Sequence, residues 1–173
     1  MSEYLFEPVN KSFLSDNKFE FVIERLPNLT FFIQSINLPG ITLLSTTVNN
    51  PFVATPIPGN QLVFGQLTAG IIVDENLEGW AEIYDWITQL GNPETKNKIG
   101  NLTKTPGKTN SITSDAALII KTNANNPNKK IIFKDLFPVE IGEIQFTSSG
   151  STHEFTTISV TFGYSHYELT SLN

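Results

Sequence analysis

Few residues in this chain could do chemistry. His153 and His166 are the only imidazoles, and there is no cysteine. Without Cys there are no thiolate zinc sites, disulfides or cysteine nucleophiles. The two histidines have no carboxylate at a metal-ligand spacing. His153 falls in a turn and His166 continues a strand, so both read as exposed bystanders. A Ser-His-Asp set is assembled in space rather than in sequence, but no Gly-x-Ser-x-Gly elbow is present. Pro106-Gly107-Lys108-Thr109 has the tail of a phosphate-binding loop. That loop needs an earlier glycine where this chain has Leu102, and no apolar strand leads into it. Asp74, Glu75, Glu78 and Glu82 could be drawn as paired carboxylates, yet an acidic first turn complementing a helix dipole accounts for them. The expectation is a protein that is not an enzyme and has no cofactor or metal.

Length and composition narrow the class. The chain has 173 residues and is 39% hydrophobic and 16% charged. That suits one folded domain and is too apolar for a disordered chain. Thirteen Phe against one Met imply a rigid aromatic core. The net charge of −6 argues against nucleic-acid or anionic-membrane binding. No apolar run is long enough to span a membrane, and the N-terminus lacks the basic and apolar regions of a signal peptide.

The charge is unevenly placed. Lys96 to Lys134 holds eight Lys and one acid, Asp115, so this stretch is +7 and the rest of the chain −13. One reading is a solvated basic loop. The other is two opposite faces that meet in a self-assembly. Sequence-tolerant nucleic-acid binding by that loop would want aromatics to stack bases, and Lys96 to Lys121 contains none.

The elements that would position these residues are mostly strands. Residues 1–18 read as an N-terminal arm. Phe19, Phe21 and Ile23 share one face at period two, which predicts a strand over 19–24. Leu26-Pro27-Asn28 makes a turn, a second strand runs from Leu29 to Ile36, and Leu38-Pro39-Gly40 ends it. Residues 41–64 read as an extended hairpin, rich in Thr, Ser, Asn and Pro. No charge occurs from Ile41 through Val73. Such a segment suits packing on a neighbour. A helix is predicted over 77–90, with Leu77, Trp80, Ile83, Tyr84, Ile87 and Leu90 on one face. Asp74-Glu75-Asn76 supplies its start and Gly91 a C′ stop; Trp86 lies at the stripe's edge. A long basic loop covers 92–114. Four strands follow: 116–122 with 129–134, then 143–147 with 154–167, with Leu136 to Val139 as a break. Ile158, Val160, Phe162 and Tyr164 alternate with polar positions, the mark of a strand buried on one face. Seven or eight strands, one helix and no strand-helix-strand alternation predict a mainly β fold. We expect two packed antiparallel sheets, sandwich- or barrel-like, with one flanking helix.

At Trp80 to Leu90 and again at Phe133 to Tyr167 the chain resembles the tail tube proteins of contractile-tailed phages and their injection-system relatives. The helix has the pattern Trp-x-x-Ile-Tyr-x-Trp-Ile (Trp80, Ile83, Tyr84, Trp86, Ile87), preceded by a strand ending in Asp74-Glu75. Later comes Lys134-Asp135-Leu136-Phe137-Pro138 to Gly142, then a long alternating strand ending in an aromatic, Tyr164 or Tyr167. The early Phe-x-Phe-x-Ile strand and Leu38-Pro39-Gly40 also fall where that family has them. The order matches over roughly 17–168.

The resemblance implies a structural virion protein, one domain over 1–173, assembled in the host cytoplasm into the tail. Six copies would close into a ring, rings would stack into a tube, and DNA would pass through the lumen without sequence-specific binding. Sheath and baseplate proteins would be partners, and no membrane is involved. Residues 41–64 would contact the adjacent ring, through Thr46, Thr47, Pro51, Phe52, Pro56 and Pro58. The 92–114 loop, with Lys96, Lys98, Lys104 and Lys108, and the arm would make further inter-subunit contacts. Trp80, Ile83, Tyr84, Ile87 and Phe137 would pack the helix and core. The chain's Asn/Pro-rich hairpin and Lys-heavy loop depart from the commoner pattern. A tube-initiator or terminator ring subunit shares the fold and stays open, as does a monomeric β-sandwich binding module.

Overall fold

The computed structural model describes residues 11–49, 51–91, 112–147 and 155–172. These described residues form nine strands and one α-helix in the order β1 (Phe19–Ile23), β2 (Ile33–Ile36), β3 (Ile41–Asn49), β4 (Ala54–Phe64), β5 (Leu67–Ile72), α1 (Glu78–Gly91), β6 (Ser114–Lys121), β7 (Pro127–Ile141), β8 (Thr157–Gly163) and β9 (His166–Ser171). All strand pairs are antiparallel. The mainly β expectation with one helix holds.

The two sheets share one long strand. The first half of β7 pairs with β6 and with β9, from Lys129↔Ser171 to Lys134↔His166. Its second half pairs with β8, from Phe137↔Gly163 to Ile141↔Val160. One sheet therefore runs β1-β6-β7-β9 and the other β7-β8-β5-β2. The change of sheet is made at Asp135, a non-glycine residue with φ 55°, where the β6–β7 register slips between Ser114 and Ala116. A bulge bends its strand and sharpens the twist, which lets one chain turn a corner. Asp115 on β6 holds that corner. Its carboxylate accepts from Lys134 Nζ at 2.6 Å and from the Asp135 amide at 3.4 Å.

The core lies between the sheets. Period-two alternation puts Phe21, Ile23, Ala116, Leu118, Ile131 and Phe133 of one sheet against Leu67, Ala69, Ile71, Ile158, Val160 and Phe162 of the other, all buried. Helix α1 joins this core through Ile83 and Trp86. Asp74 caps the helix by accepting from the Glu78 and Gly79 amides at 3.0 and 3.3 Å. The Trp86 indole donates to the Ile112 carbonyl at 3.1 Å, and Arg25 lies 4.9 Å above its ring.

Several expected boundaries move, each for a local reason. Residues Pro27–Phe31 form a 3-10 turn, so the second strand starts at Ile33 and not at Leu29; Pro27 presets the turn's φ and carries no N–H for a ladder. The segment 143–147 is not a strand, and its expected hairpin with 154–167 does not form: β7 continues through Leu136 and itself supplies the partner of β8. The stretch 154–167 is not one strand either. It splits at Tyr164–Ser165 into β8 and β9, which join different sheets. The helix runs through Gly91, one residue past the expected end.

Candidate assembly surfaces

Strands β3 and β4 pair only with each other among the described residues. At about 3.3 Å per residue, the ribbon reaches roughly 25–30 Å from its root. Every residue of β3 is exposed. An isolated two-stranded hairpin is marginally stable in water, and this one carries exposed Ile41, Leu43, Leu44, Val48, Ile57, Leu62 and Val63, with Val53 and a 92%-exposed Phe52 near its tip. The uncharged stretch is longer than the ribbon: no Asp, Glu, Lys or Arg occurs from Leu26 to Val73.

The ribbon is irregular at one place. Leu43 faces Leu62 and Ser45 faces Pro58, so Leu44 opposes Gly59, Asn60 and Gln61. A Cβ on Gly59 would lie 2.2 Å from the Leu44 carbonyl oxygen, so only glycine lets the two backbones approach here. The register then places Thr46 opposite Ile57, Thr47 opposite Pro56 and Ser45 opposite Pro58. Directly paired residues share a face. Thr46 therefore lies on one face of the ribbon, and Thr47, Pro56 and Pro58 lie on the other. Pro51 and Phe52 are at the tip.

The root is fixed, which separates this ribbon from a loose loop. The Gly65 amide donates to Gly40 at 3.0 Å. The Tyr164 hydroxyl donates to the Gly65 carbonyl at 2.8 Å and the Tyr167 hydroxyl to the Pro39 carbonyl at 3.0 Å, so each root strand is held by one tyrosine. The Asn37 side chain donates to the Gln66 carbonyl at 3.0 Å and accepts from the Thr68 amide at 2.6 Å. Phe64 packs edge-on to both tyrosines, and Phe133 continues the cluster into the core. Burial pushes the Tyr164 phenol up to about 12, with Tyr167 adding to the effect. The aim of the hairpin is thus set by the core.

Other predicted residues fall as follows. Ile83 is buried; Trp80, Ile87 and Leu90 are partly buried against the core. Tyr84 lies at the stripe's outer margin, 47% exposed and stacked on Trp80 with ring centroids 5.1 Å apart. Phe137 is on the outer face of its sheet, over Gly163, where any Cβ would meet the ring at 2.7 Å. Lys96, Lys98, Lys104, Lys108, the Pro106–Thr109 segment and His153 lie outside the described residues. Of the basic stretch's described lysines, Lys121 pairs with Glu20 at 2.8 Å and Lys134 with Asp115 at 2.6 Å, so part of its charge is answered within the chain. His166 lies 3.6 Å from Glu168. Asp74 serves the helix cap, and the Glu78 amide holds its carboxyl below the usual range. Among the described residues no group of three His, Cys, Asp or Glu could hold a metal, and no helix is long and apolar enough to cross a membrane.

Sequence reasoning did not find the three side chains at the root. Asn37, Tyr164 and Tyr167 act across 29 to 128 positions, and their types alone carry no such signal.

The fold is one seen in solved structures. A chain of the anti-feeding prophage tube-terminating cap matches with TM-score 0.67 and 11% identity, covering 99% of this chain and 100% of that one. A chain of the sheath-tube complex of an extracellular contractile injection system, in its extended state, matches with TM-score 0.65 and 11% identity over 94% of each chain. A chain of the anti-feeding prophage baseplate gives 0.64 and 11%, covering 93% and 97%. No curated protein matches the sequence. Residues 3–170 match the phage tail tube protein family. That span is nearly the whole chain, and the protein belongs to the phage tail tube family, a family of structural proteins and not of enzymes.

Proposed function

We propose that the whole chain, 1–173, is one subunit of the inner tube of a contractile tail, with six copies closing into a ring and rings stacking along the axis. The observation that carries this reading is the ribbon 41–64: uncharged, exposed on every residue of β3, yet held at its root by two tyrosines and an asparagine. A stiff arm with that surface suits insertion against a neighbour. Thr46, Thr47, Pro51, Phe52, Pro56 and Pro58 belong to the contact with the adjacent ring. The basic segment and the N-terminal arm add further contacts between subunits. A head-to-tail interface that closes makes rings, and a second repeated interface makes a stack. Sheath and baseplate proteins are the expected partners, as the solved neighbours come from sheath-tube and baseplate complexes. The site of assembly is the host cytoplasm and the destination the virion tail. The net charge of −6 suits a lumen that passes DNA without holding its phosphates.

The likeness to a tube-terminating cap over 99% of the chain favours a second reading, a subunit that forms one ring and stops. Negative-stain electron microscopy of the purified protein across concentration tests both. Stacked tubes with an open centre support the tube, isolated rings the terminator. A monomer at all concentrations counts against spontaneous assembly, raises the binding-module reading and leaves, of the tube readings, a subunit that needs an initiator.

A further inference from the structure

The two long edges of the ribbon are not equivalent. In an antiparallel ladder, directly opposed residues alternate between pairs that exchange both backbone hydrogen bonds and pairs whose N–H and C=O groups point away. Pro56 and Pro58 stand opposite Thr47 and Ser45. Proline has no N–H to exchange, so these must be pairs of the second kind. The ladder bonds then fall at Thr46↔Ile57 and Val48↔Thr55. The root gives the same parity independently, since the Gly65 amide bonds to Gly40 and alternate pairs follow from there.

The outer edge of β4 consequently lacks donors at two successive outward positions, 56 and 58, and is then disrupted by the bulge at Gly59–Gln61. The outer edge of β3 has no such gap. Ile41, Leu43, Ser45, Thr47 and Asn49 all turn N–H and C=O outward, and every one is exposed. Proline and bulges are how natural sheets blunt an edge against unwanted strands. Here only one of two neighbouring edges is blunted.

We propose that β3 is a docking edge: its outer side adds to a sheet edge of a second copy of this chain, while the proline-blocked edge of β4 takes no strand, so that each ribbon extends a neighbour's sheet along one of its edges only. This inference rests on the self-assembly reading above and assigns it a polarity. A second copy is the occupant for three reasons. The ribbon offers no charge to select a foreign partner, as none occurs from Leu26 to Val73. Among the described residues of the same chain, the outer edges of β1, β2 and β9 carry no further strand. Their length, four to six residues, suits the outward-facing run of β3. Pairing of β3 with another β3 would be two-fold and would close after two copies; addition to a different edge can continue from copy to copy.

Amide hydrogen exchange on the free and the assembled protein tests this directly. The amides of Ser45, Thr47 and Asn49 should slow by about 100-fold or more on assembly, as amides do when opening becomes costly, while that of Ala54 on the blocked edge is unchanged. Two variants give a second reading. Thr47→Pro removes an outward donor and no ladder bond, and should abolish assembly. Ala54→Pro, a third proline on the β4 edge, should assemble within about twofold of the parent concentration, since surface changes away from contacts are near neutral. Assemblies in which Ala54 is protected and Thr47 is not, or in which Ala54→Pro alone blocks growth, overturn the polarity and leave self-assembly standing. A parent chain that stays monomeric at all concentrations overturns self-assembly and this proposal with it.

Discussion

The sandwich and the ribbon are both built from antiparallel strands, yet they answer different demands. The sandwich alternates buried and exposed positions, as in β5 and β8, and closes an aromatic core around Phe21, Phe133 and Phe162. The ribbon contributes no residue to that core. It has apolar side chains on both faces and no charges, and among the described residues its strands pair only with each other. The sandwich closes a core of its own, and the ribbon does not. Stability and assembly should therefore be separable by mutation, because they reside in different regions.

The sharpest test of that separation is in the core. Phe133 is fully buried between Phe21, Tyr164 and Tyr167. Phe133→Ala should cost about 3–5 kcal/mol in denaturant unfolding of the free subunit, and assembly should fail only because the subunit unfolds. On the ribbon the pattern should reverse. Ile57→Asp, at an exposed position, should leave unfolding within about 0.5 kcal/mol and prevent assembly, read by sedimentation. An Ile57→Asp variant that unfolds as easily as Phe133→Ala would break the comparison. The root lies between these extremes. Tyr167→Phe removes one hydrogen bond and should cost about 0.5–1.5 kcal/mol, while raising the concentration needed to assemble because the ribbon's aim loosens.

How much of this was legible in sequence follows the same division. Period two is a local signal, and it located β1 and β8. Composition marked 41–64 as an extended hairpin, and β3 and β4 form it. What stayed hidden depends on contacts between distant positions. The strand 127–141 changes sheets at Asp135, but its residues give no sign of where the turn falls. The lysine and aspartate that steady it, Lys134 and Asp115, are 19 positions apart. The single strand expected over 154–167 is two because β7 offers two partners at different heights. Leu29, expected in a strand, is instead buried within the 3-10 turn, where its hydrophobicity serves the same core from a different backbone. The tyrosines of the root were legible as strand-end aromatics and not as ties.

Titration gives the finest test, because it separates the corner of the sandwich from the root of the ribbon. At the corner, the hydrogen bond from Lys134 holds the Asp115 carboxyl below its ordinary value. A depressed carboxylate adds stability above its unfolded value, near pH 4, and loses it as pH falls through the folded one. Lys134, raised by the same bond, adds stability below its unfolded value and loses it as pH climbs through the folded one. Asp115→Asn should therefore flatten stability against pH at both the acid and the alkaline ends. At the root, Tyr164 is raised to about 12 by burial. Its neutral form is favoured by folding, so stability is intact below about pH 10 and falls between there and 12. Ultraviolet titration of the native protein should find the Tyr164 phenol titrating late, and Tyr164→Phe should remove that step. In Asp115→Asn that phenol should still titrate late, because the corner steadies the sheets and the tyrosine holds the ribbon. If Asp115→Asn lowers the Tyr164 value, the two regions are coupled through β7, and the ribbon's aim depends on the bend at Asp135 as well as on its own root.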